Sequence, residues 1–569
     1  MAKDLYELID SFRGMTQVED IMNALEGSCF IRKLQLNGVL ENIVFDEKSG
    51  SYLDCLRENV KAPDELPIDL NDMASCLRFD SLVILEACVR RVVDYTDTEL
   101  KELITQLQSE SVKRMCNTTY RVDDTEEGIS KLVNYLVKDK NYKSVLDLCS
   151  GSGSFLLQNV LNENRNKLVG YEYLQKNVIF SKMMSYVLDG NLEIHNEDVL
   201  ATSVDGKYDL CFTQCPLGLR YKQKIMDDHN GLLGFDHFGV KVDWAFVFKA
   251  INAMNTDGKT FAILSHSSVS NNVEMKSRQL IIDNRLLEKV IVMPQGTLHY
   301  TNIQYYLLVF SNGNDKVTFI DASSCYTTDK KMKLFDLESF KKAEKTSAYT
   351  FSYEEIENKN YSFDLSRYLY TSGISEKMNP VALNECADVI GGYVYNTHKK
   401  IESPVAVKMI KVENFDGSLV DTVNAEEIEI EESKVSNYLI RKGDILLASK
   451  GTIIRAAIVQ NVEEPCIFNS NINVIRIKQD VKMIPEYLLS YLNSDLGMNE
   501  LKMLQTGTTV MSVSLKSLRE MDVPMVDMNT QEVIEIRFNK LQQKLVEAKK
   551  TVSEYEKKIN SLFDMEVGD

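Results

Sequence analysis

One short segment leaves the backbone few choices. Val145-Leu146-Asp147-Leu148-Cys149-Ser150-Gly151-Ser152-Gly153-Ser154-Phe155 runs an apolar strand into a Gly/Ser turn, and Phe155-Leu156-Leu157 opens a helix. Glycines there let the chain bend tightly and come close to a ligand, while the free N–H groups of the helix start point at it. The pattern suits an adenosine-containing cofactor at the head of a parallel sheet, although many strand–turn–helix units carry two glycines for packing alone.

The segments that follow narrow the choice. Leu168-Val169-Gly170-Tyr171-Glu172 reads as a second strand, ending one βαβ unit after Asp147 in a carboxylate that can accept both ribose hydroxyls. A third, from Leu192 through Asp198, ends in a carboxylate able to accept an adenine amino group. Lys207-Tyr208-Asp209-Leu210-Cys211-Phe212 reads as a fourth. Each acid alone is an ordinary surface or capping residue; three consecutive strands ending in the required chemistry are a pattern.

In this order the motifs resemble the adenine-N6 DNA methyltransferase (modification) subunit of type I restriction systems. The resemblance continues through Val242-Asp243-Trp244-Ala245-Phe246-Val247-Phe248, the strand Lys259–Leu264 and Ile303-Gln304-Tyr305-Tyr306-Leu307-Leu308-Val309-Phe310. It reaches Tyr361-Ser362-Phe363-Asp364-Leu365-Ser366-Arg367-Tyr368, spanning roughly residues 1–370 and best from 145 to 310. It implies a doubly wound, Rossmann-like domain with S-adenosylmethionine as cofactor, held by Asp147, Ser150, Gly151, Gly153, Phe155, Glu172, Asp198 and Tyr120.

Two departures bear on catalysis. The family carries Asn/Asp-Pro-Pro-Tyr/Phe after the fourth strand. Its side-chain oxygen and the next backbone carbonyl accept hydrogen bonds from the target amine, and its aromatic ring stacks on the flipped base. Here Gln214-Cys215-Pro216-Leu217 stands in that place. Gln214 is one methylene longer than Asn, and a misplacement of about 1 Å can cost about a hundredfold in rate. Leu217 has no π face, and Cys215 frees a backbone that proline would fix. Upstream, a Phe-Tyr-Thr-Pro-like segment is expected; Asn117-Thr118-Thr119-Tyr120-Arg121-Val122 lacks its proline, and only Tyr120 corresponds. Two readings follow: an unusual methyltransferase that works with Gln214, or a non-catalytic DNA-binding and assembly subunit that keeps the fold.

Composition sets outer bounds. A chain of 569 residues with 44% apolar content is globular and long enough for three or four domains. It contains no membrane-length apolar run, and Met1-Ala2-Lys3-Asp4-Leu5 lacks a signal-peptide core, so a cytoplasmic protein is expected. Eleven cysteines without paired CxxC spacing suit reduced thiols, and no metal site is expected. The net charge of −19 argues against a protein that coats nucleic acid, but sequence-specific readers need only a local basic face.

Residues 1–115 are expected to be a helical domain, from apolar residues at helical spacing in Leu5–Phe12, Leu82–Val93 and Leu100–Leu107. Strands and helices alternate through 116–375, the α/β methyltransferase-like domain. Texture changes near Pro380, where short β-type runs separated by turn residues define a mixed, mainly-β domain over 376–530. Tyr438–Leu447 with Lys450-Gly451-Thr452, and Gln505-Thr506-Gly507-Thr508-Thr509, resemble a target recognition domain of a type I specificity subunit. That resemblance implies double-stranded DNA as partner, with Lys399, Lys400, Lys450, Arg455, Gln505 and Thr508 as candidate contacts.

The tail over 531–569 is strictly periodic. Ile534, Phe538, Leu541, Leu545, Ala548, Val552, Tyr555, Ile559 and Leu562 alternate spacings of four and three, a coiled-coil seam of about 43 Å. Full specificity subunits carry two recognition domains and two such helices; this chain carries one of each. A second copy or a separate half-specificity protein would complete the pair, unless the helix packs on its own chain. No nuclease carboxylate cluster or helicase phosphate loop is legible, so cleavage would need other nuclease or motor subunits.

Overall fold

The computed structural model describes residues 7–560 apart from 8, 13, 43–50, 110–123, 161–164, 166, 229–230, 239–240, 299, 330–331, 370–377, 396–402, 451–453 and 507–511. Tyr120, Lys399, Lys400, Thr508 and Leu562 lie outside them. The chain divides into two compact units, Met1–Leu365 and Ser366–Asp569. Among the described residues no helix is long and apolar enough to cross a membrane.

The first unit begins with helices, among them α1 (Val18–Leu36), α2 (Phe79–Val92) and α3 (Asp97–Leu107). Helix α1 is buried on nearly every side, so its sequence shows no apolar stripe, and its polar residues must find partners inside. They do: Ser81 donates to Asp20 at 3.1 Å, Gln108 to Glu26 at 2.9 Å, and Lys33 pairs with Asp97 and Asp189. The apolar core of these helices continues without a break into Ile179, Phe180, Met183 and Val187 of the α/β layer.

Helix α4 (Glu127–Leu136) leads into that layer. Its strands are β1 (Ser144–Asp147), β2 (Lys167–Glu172), β3 (Leu192–Asn196), β4 (Tyr208–Thr213), β5 (Met254–Ser265), β6 (Leu287–Val292), β7 (Tyr305–Phe310), β8 (Lys316–Asp321) and β9 (Ala348–Ser352). The intervening helices include α5 (Ser154–Val160), α6 (Gln175–Val187) and α7 (Asp243–Asn252). The strands form one sheet in the order β3-β2-β1-β4-β5-β7-β6-β8-β9. Strands β1 to β5 run parallel, β7 is antiparallel to both neighbours, and β9 pairs antiparallel with β8 at the edge. The register sets Asp147 beside Gly170 and Phe212, and Glu172 beside Asn196. The acids that end β1 and β2 and the residue that follows β4 thus share the carboxyl edge, where a doubly wound sheet takes its ligand.

The second unit contains a six-stranded sheet in which Ala387–Gly391, Ile472–Ile477, Ile445–Ala448 and Arg455–Ile458 lie side by side, and a three-stranded sheet of Glu426–Glu431, Pro404–Ile410 and Cys466–Phe468. Asp444, buried at the start of a strand, is clasped by Arg476 through two bonds of 2.8 and 2.7 Å. Helix α8 (Pro485–Leu492) packs against the long helix α9 (Met528–Asn560). Gln531 of α9 is buried and accepts the Ile484 N–H at 2.9 Å. Ile534 and Phe538, the first two seam residues, join the core of this unit. From Leu541 onward the seam leaves that core, with Leu541, Leu545, Val552, Tyr555 and Ile559 exposed.

Candidate functional site

The glycine turn is built as an inward-facing loop. Gly151 and Gly153 take φ of 54° and 88°, conformations that cost side-chain-bearing residues energy, and at Gly153 an added Cβ would stand 3.0 Å from the Ser181 hydroxyl. Ser150 N–H donates to the Tyr171 carbonyl at 3.0 Å, fastening the turn to β2. Two further amides of the turn meet carboxylates. Gly151 N–H donates to Glu172 Oε2 at 3.0 Å, and Ser152 N–H to Asp124 Oδ1 at 3.1 Å. Phe155 is wholly buried and stacks on Phe212 with ring centroids 4.1 Å apart.

Asp147 is fully buried. Its Oδ1 accepts the Cys149 N–H at 3.1 Å, while Oδ2 has no hydrogen-bond partner among the described residues. Burial pushes its carboxyl up to about 7; the Cys149 N–H opposes that rise and the Glu172 charge adds to it. A buried carboxylate oxygen lacking a donor costs free energy that a cationic or hydrogen-bonding ligand would recover.

Across the same edge, Gln214 follows β4 and is buried, with Nε2 3.4 Å from Glu126 Oε2 and Oε1 without a partner among the described residues. Burial drives the Cys215 thiol well above its ordinary range, so it stays protonated and is no nucleophile. Pro216 is exposed, and Leu217 packs against the core of the sheet. The loop then turns at Gly218, whose N–H donates to Asp243 Oδ1 at 3.2 Å, while Ser268 donates to Asp243 Oδ2 at 2.7 Å. Asp243 opens α7, and burial raises its pKa. It braces the segment carrying Gln214.

Asp198 stands half-buried beyond β3, with Oδ1 accepting the Leu200 N–H and Oδ2 the Tyr221 hydroxyl, each at 3.0 Å. Tyr221 thereby ties the loop after β4 to the end of β3. Lys249 of α7, wholly buried, fixes the outer part of that loop by donating to Thr202 O, Met226 O and Asp228 Oδ1 at 2.8–2.9 Å.

The donor set tests the expected cofactor. With Glu172 and Asp124 already holding two turn amides, the turn presents carboxylate charge where a phosphate cradle would present bare N–H groups. Asp147 and Glu172 favour a cation. S-adenosylmethionine carries sulfonium and ammonium charges, and an adenosine whose hydroxyls and amine need acceptors. The residues present fit it.

Sequence reasoning therefore located Asp147, Ser150, Gly151, Gly153 and Glu172 about one turn, with Asp198 and Gln214 at neighbouring strand ends. Phe155, expected at the cofactor, is wholly buried and stacks on Phe212. Sequence reasoning missed Asp124, Glu126 and Tyr221. The amphipathic start of α4, immediately after Glu126, was the available signal for the first two.

In the second unit, Lys450, Arg455 and Gln505 gather at one end of the six-stranded sheet. Ala448 pairs with Arg455, Lys450 bridges to Ser512, Gln505 pairs with Val513, and Val513 N–H donates to Ser449 O at 2.9 Å. Lys450 and Arg455 are exposed and Gln505 is half-buried.

Residues 125–377 match the N-6 DNA methylase family, and residues 375–554 match the type I restriction modification DNA specificity domain. The chain is 24% identical over 335 residues to the type I restriction enzyme MpnII methylase subunit of Mycoplasma pneumoniae, covering 51% of this chain and 61% of the relative. It is 23% identical over 330 residues to the MjaVIII methylase subunit of Methanocaldococcus jannaschii, covering 50% of this chain and 54% of the relative. The chain thus spans less than two thirds of either relative's length. Among solved structures, the type I restriction-modification methyltransferase subunit from Streptococcus thermophilus aligns with a TM-score of 0.44 at 15% identity, over 64% of this chain and 98% of that one. The chain joins an N-6 DNA methylase domain to a type I restriction–modification DNA specificity domain and is homologous to type I methylase subunits.

Proposed function

We propose that this chain is a single-chain modification–specificity protein of a type I-like restriction–modification or defence system, which reads a DNA sequence and methylates adenine N6 within it. One observation supports activity above the others: among the described residues neither Gln214 Oε1, a buried acceptor, nor Asp147 Oδ2 at the neighbouring strand end has a hydrogen-bond partner. S-adenosylmethionine, when bound, supplies an electrophilic methyl group. Asp147 would take its methionine ammonium, with Ser150, Gly151 and Gly153 letting the backbone close in; Glu172 would accept ribose hydroxyls and Asp198 the adenine amine. Gln214 Oε1 and the Cys215 carbonyl would accept hydrogen bonds from the exocyclic amine of a flipped adenine, raising the electron density on nitrogen. The proton of that amine leaves to water after transfer, so no side-chain base is required.

Lys450, Arg455 and Gln505, with Lys399, Lys400 and Thr508, would contact duplex DNA, Arg and Lys at phosphates or guanine edges and Gln at adenine. The exposed seam from Leu541 to Ile559 would pair with the helix of a second copy or of a half-specificity protein. Cleavage would come from separate nuclease or motor subunits in the cytoplasm.

One observation favours the second reading, a non-catalytic DNA-binding and assembly subunit: Leu217 packs into the core where an aromatic ring would face the base. Titration calorimetry with S-adenosylmethionine, joined to labelled methyl transfer to genomic DNA, decides between them. Heat and transfer are expected; neither heat nor transfer removes the enzyme reading. For the helix, Leu545→Asp is expected to convert self-associated chain to monomer in sedimentation. A parent that sediments as monomer leaves only the separate half-specificity partner.

A further inference from the structure

Resting on the methyltransferase reading, the contact between Gln214 and Glu126 carries a consequence for how the site is set. An amide can present either its NH2 or its carbonyl to a neighbour, and the two ends have nearly the same shape. A carboxylate offers acceptors only, so Glu126 fixes the choice: the NH2 of Gln214, 3.4 Å away, turns to Glu126, and the carbonyl turns away from it. That carbonyl oxygen is the buried atom without a partner among the described residues.

Glu126 is itself anchored. It forms the N-cap of α4, and two residues earlier Asp124 accepts the N–H of Ser152 in the glycine turn. The segment holding Gln214 is thereby fastened to the cofactor turn. Gln214 also needs such a hold more than an asparagine would, because its extra rotatable bond leaves more conformations to suppress.

We propose that Glu126 is the positioning residue for Gln214: by holding the amide NH2 it sets Oε1 as a fixed acceptor for the exocyclic amine of the adenine to be methylated. Glu126 touches neither substrate nor cofactor in this role. It acts through Gln214.

The test uses the full chain, tritiated S-adenosylmethionine and genomic DNA from a strain lacking N6-methyladenine. Single-turnover transfer is measured at saturating cofactor for the parent, Glu126→Ala, Glu126→Gln, Gln214→Ala and the double alanine variant. Glu126→Ala is expected to slow transfer by about ten- to a hundredfold. Its calorimetric Kd for S-adenosylmethionine should stay within about twofold of the parent. Glu126→Gln, whose amide oxygen can accept the same bond, recovers most of the rate. In the Gln214→Ala background, removing Glu126 costs nothing more. A Glu126→Ala rate equal to the parent's overturns the proposal, as do losses at the two positions that multiply.

A second measurement needs no turnover. In protein labelled with 15N at glutamine side chains, the Nε2 signal of Gln214 is assigned by its disappearance in Gln214→Ala. Glu126→Ala should shift it; an unmoved signal overturns the proposal. A parent that transfers no methyl group while the signal shifts refutes the methylation reading and leaves the pairing standing.

Discussion

The two ends at which this chain would meet its ligands are built in opposite ways. At the carboxyl edge of the nine-stranded sheet, Asp147, Glu172, Gln214 and Asp243 are all buried and held by named bonds from the turn and the loops. At the end of the six-stranded sheet, Lys450 and Arg455 are exposed, and backbone pairing sets where they stand. Transfer of a small group demands atoms fixed to within a fraction of an ångström, which burial and bonding provide. Reading a long polyanion demands charge in reach of phosphate, and there solvent exposure is no handicap. The contrast is one of tolerance: the first end should break at single atoms, the second erode by increments.

The largest expected effect falls at the first end. Gln214→Ala removes the acceptor and should lower methyl transfer by about a hundredfold or more, a loss of the size seen on deleting one preorganised hydrogen-bonding group. Single-turnover kinetics with unchanged DNA retention would check it; a rate close to the parent's would end the contrast. The second unit has one rigid point of its own, and Asp444→Ala tests it. Removing that carboxylate strands the Arg476 guanidinium and should cost about 2 kcal/mol, less than for a fully buried pair because 21% of the Arg476 side chain reaches solvent. Urea unfolding resolves a change of that size.

A pH titration sharpens the comparison further. Burial lifts Asp147 from its ordinary 3.8 to about 7, so between those values the folded protein holds a proton that the unfolded chain has released. This group's contribution to stability is therefore complete below about 4 and is lost as pH rises through about 7. A cationic ligand prefers the ionised form, so affinity for S-adenosylmethionine should rise by up to about tenfold from pH 6 to 8. In Asp147→Asn the dependence should vanish along with most of the affinity. The smallest effect is expected at the exposed end. Lys450→Ala should weaken duplex binding only several-fold, lower the slope of log K against log salt by about 0.9, and do so alike on every sequence. A loss confined to one sequence would assign Lys450 to base reading.

What could be read from the sequence follows the same physical divide. The glycine turn was legible because positive φ is a local demand that few residues meet, and the acids were legible because Asp147 and Glu172 close strands and Asp198 follows one by two residues. The recognition end was legible through order and turn residues, but the bridges that bring Lys450 near Gln505, through Ser512 and Val513, were not. Nor were the partners of Gln214. Glu126 lies 88 positions earlier, and nothing local marks it as a neighbour. Tyr221 on Asp198 and Lys249 beneath the loop are likewise products of the folded arrangement. Helix α1 escaped for another reason: periodicity reveals a helix with one wet face, and this one has almost none. The tail showed its seam plainly, yet sequence could not say that Ile534 and Phe538 would be absorbed by their own unit while Leu541 and its successors stay outside.

The unbroken core between α1 and α6 has a practical meaning for anyone dissecting the molecule. The stretch that matches the methylase family begins at residue 125, an inviting start for a minimal fragment. Such a truncate would uncover Phe180, Met183 and Val187 to water and strand Asp189 without Lys33. It should precipitate on expression rather than fold, and return to solution only when residues 1–109 are supplied beside it.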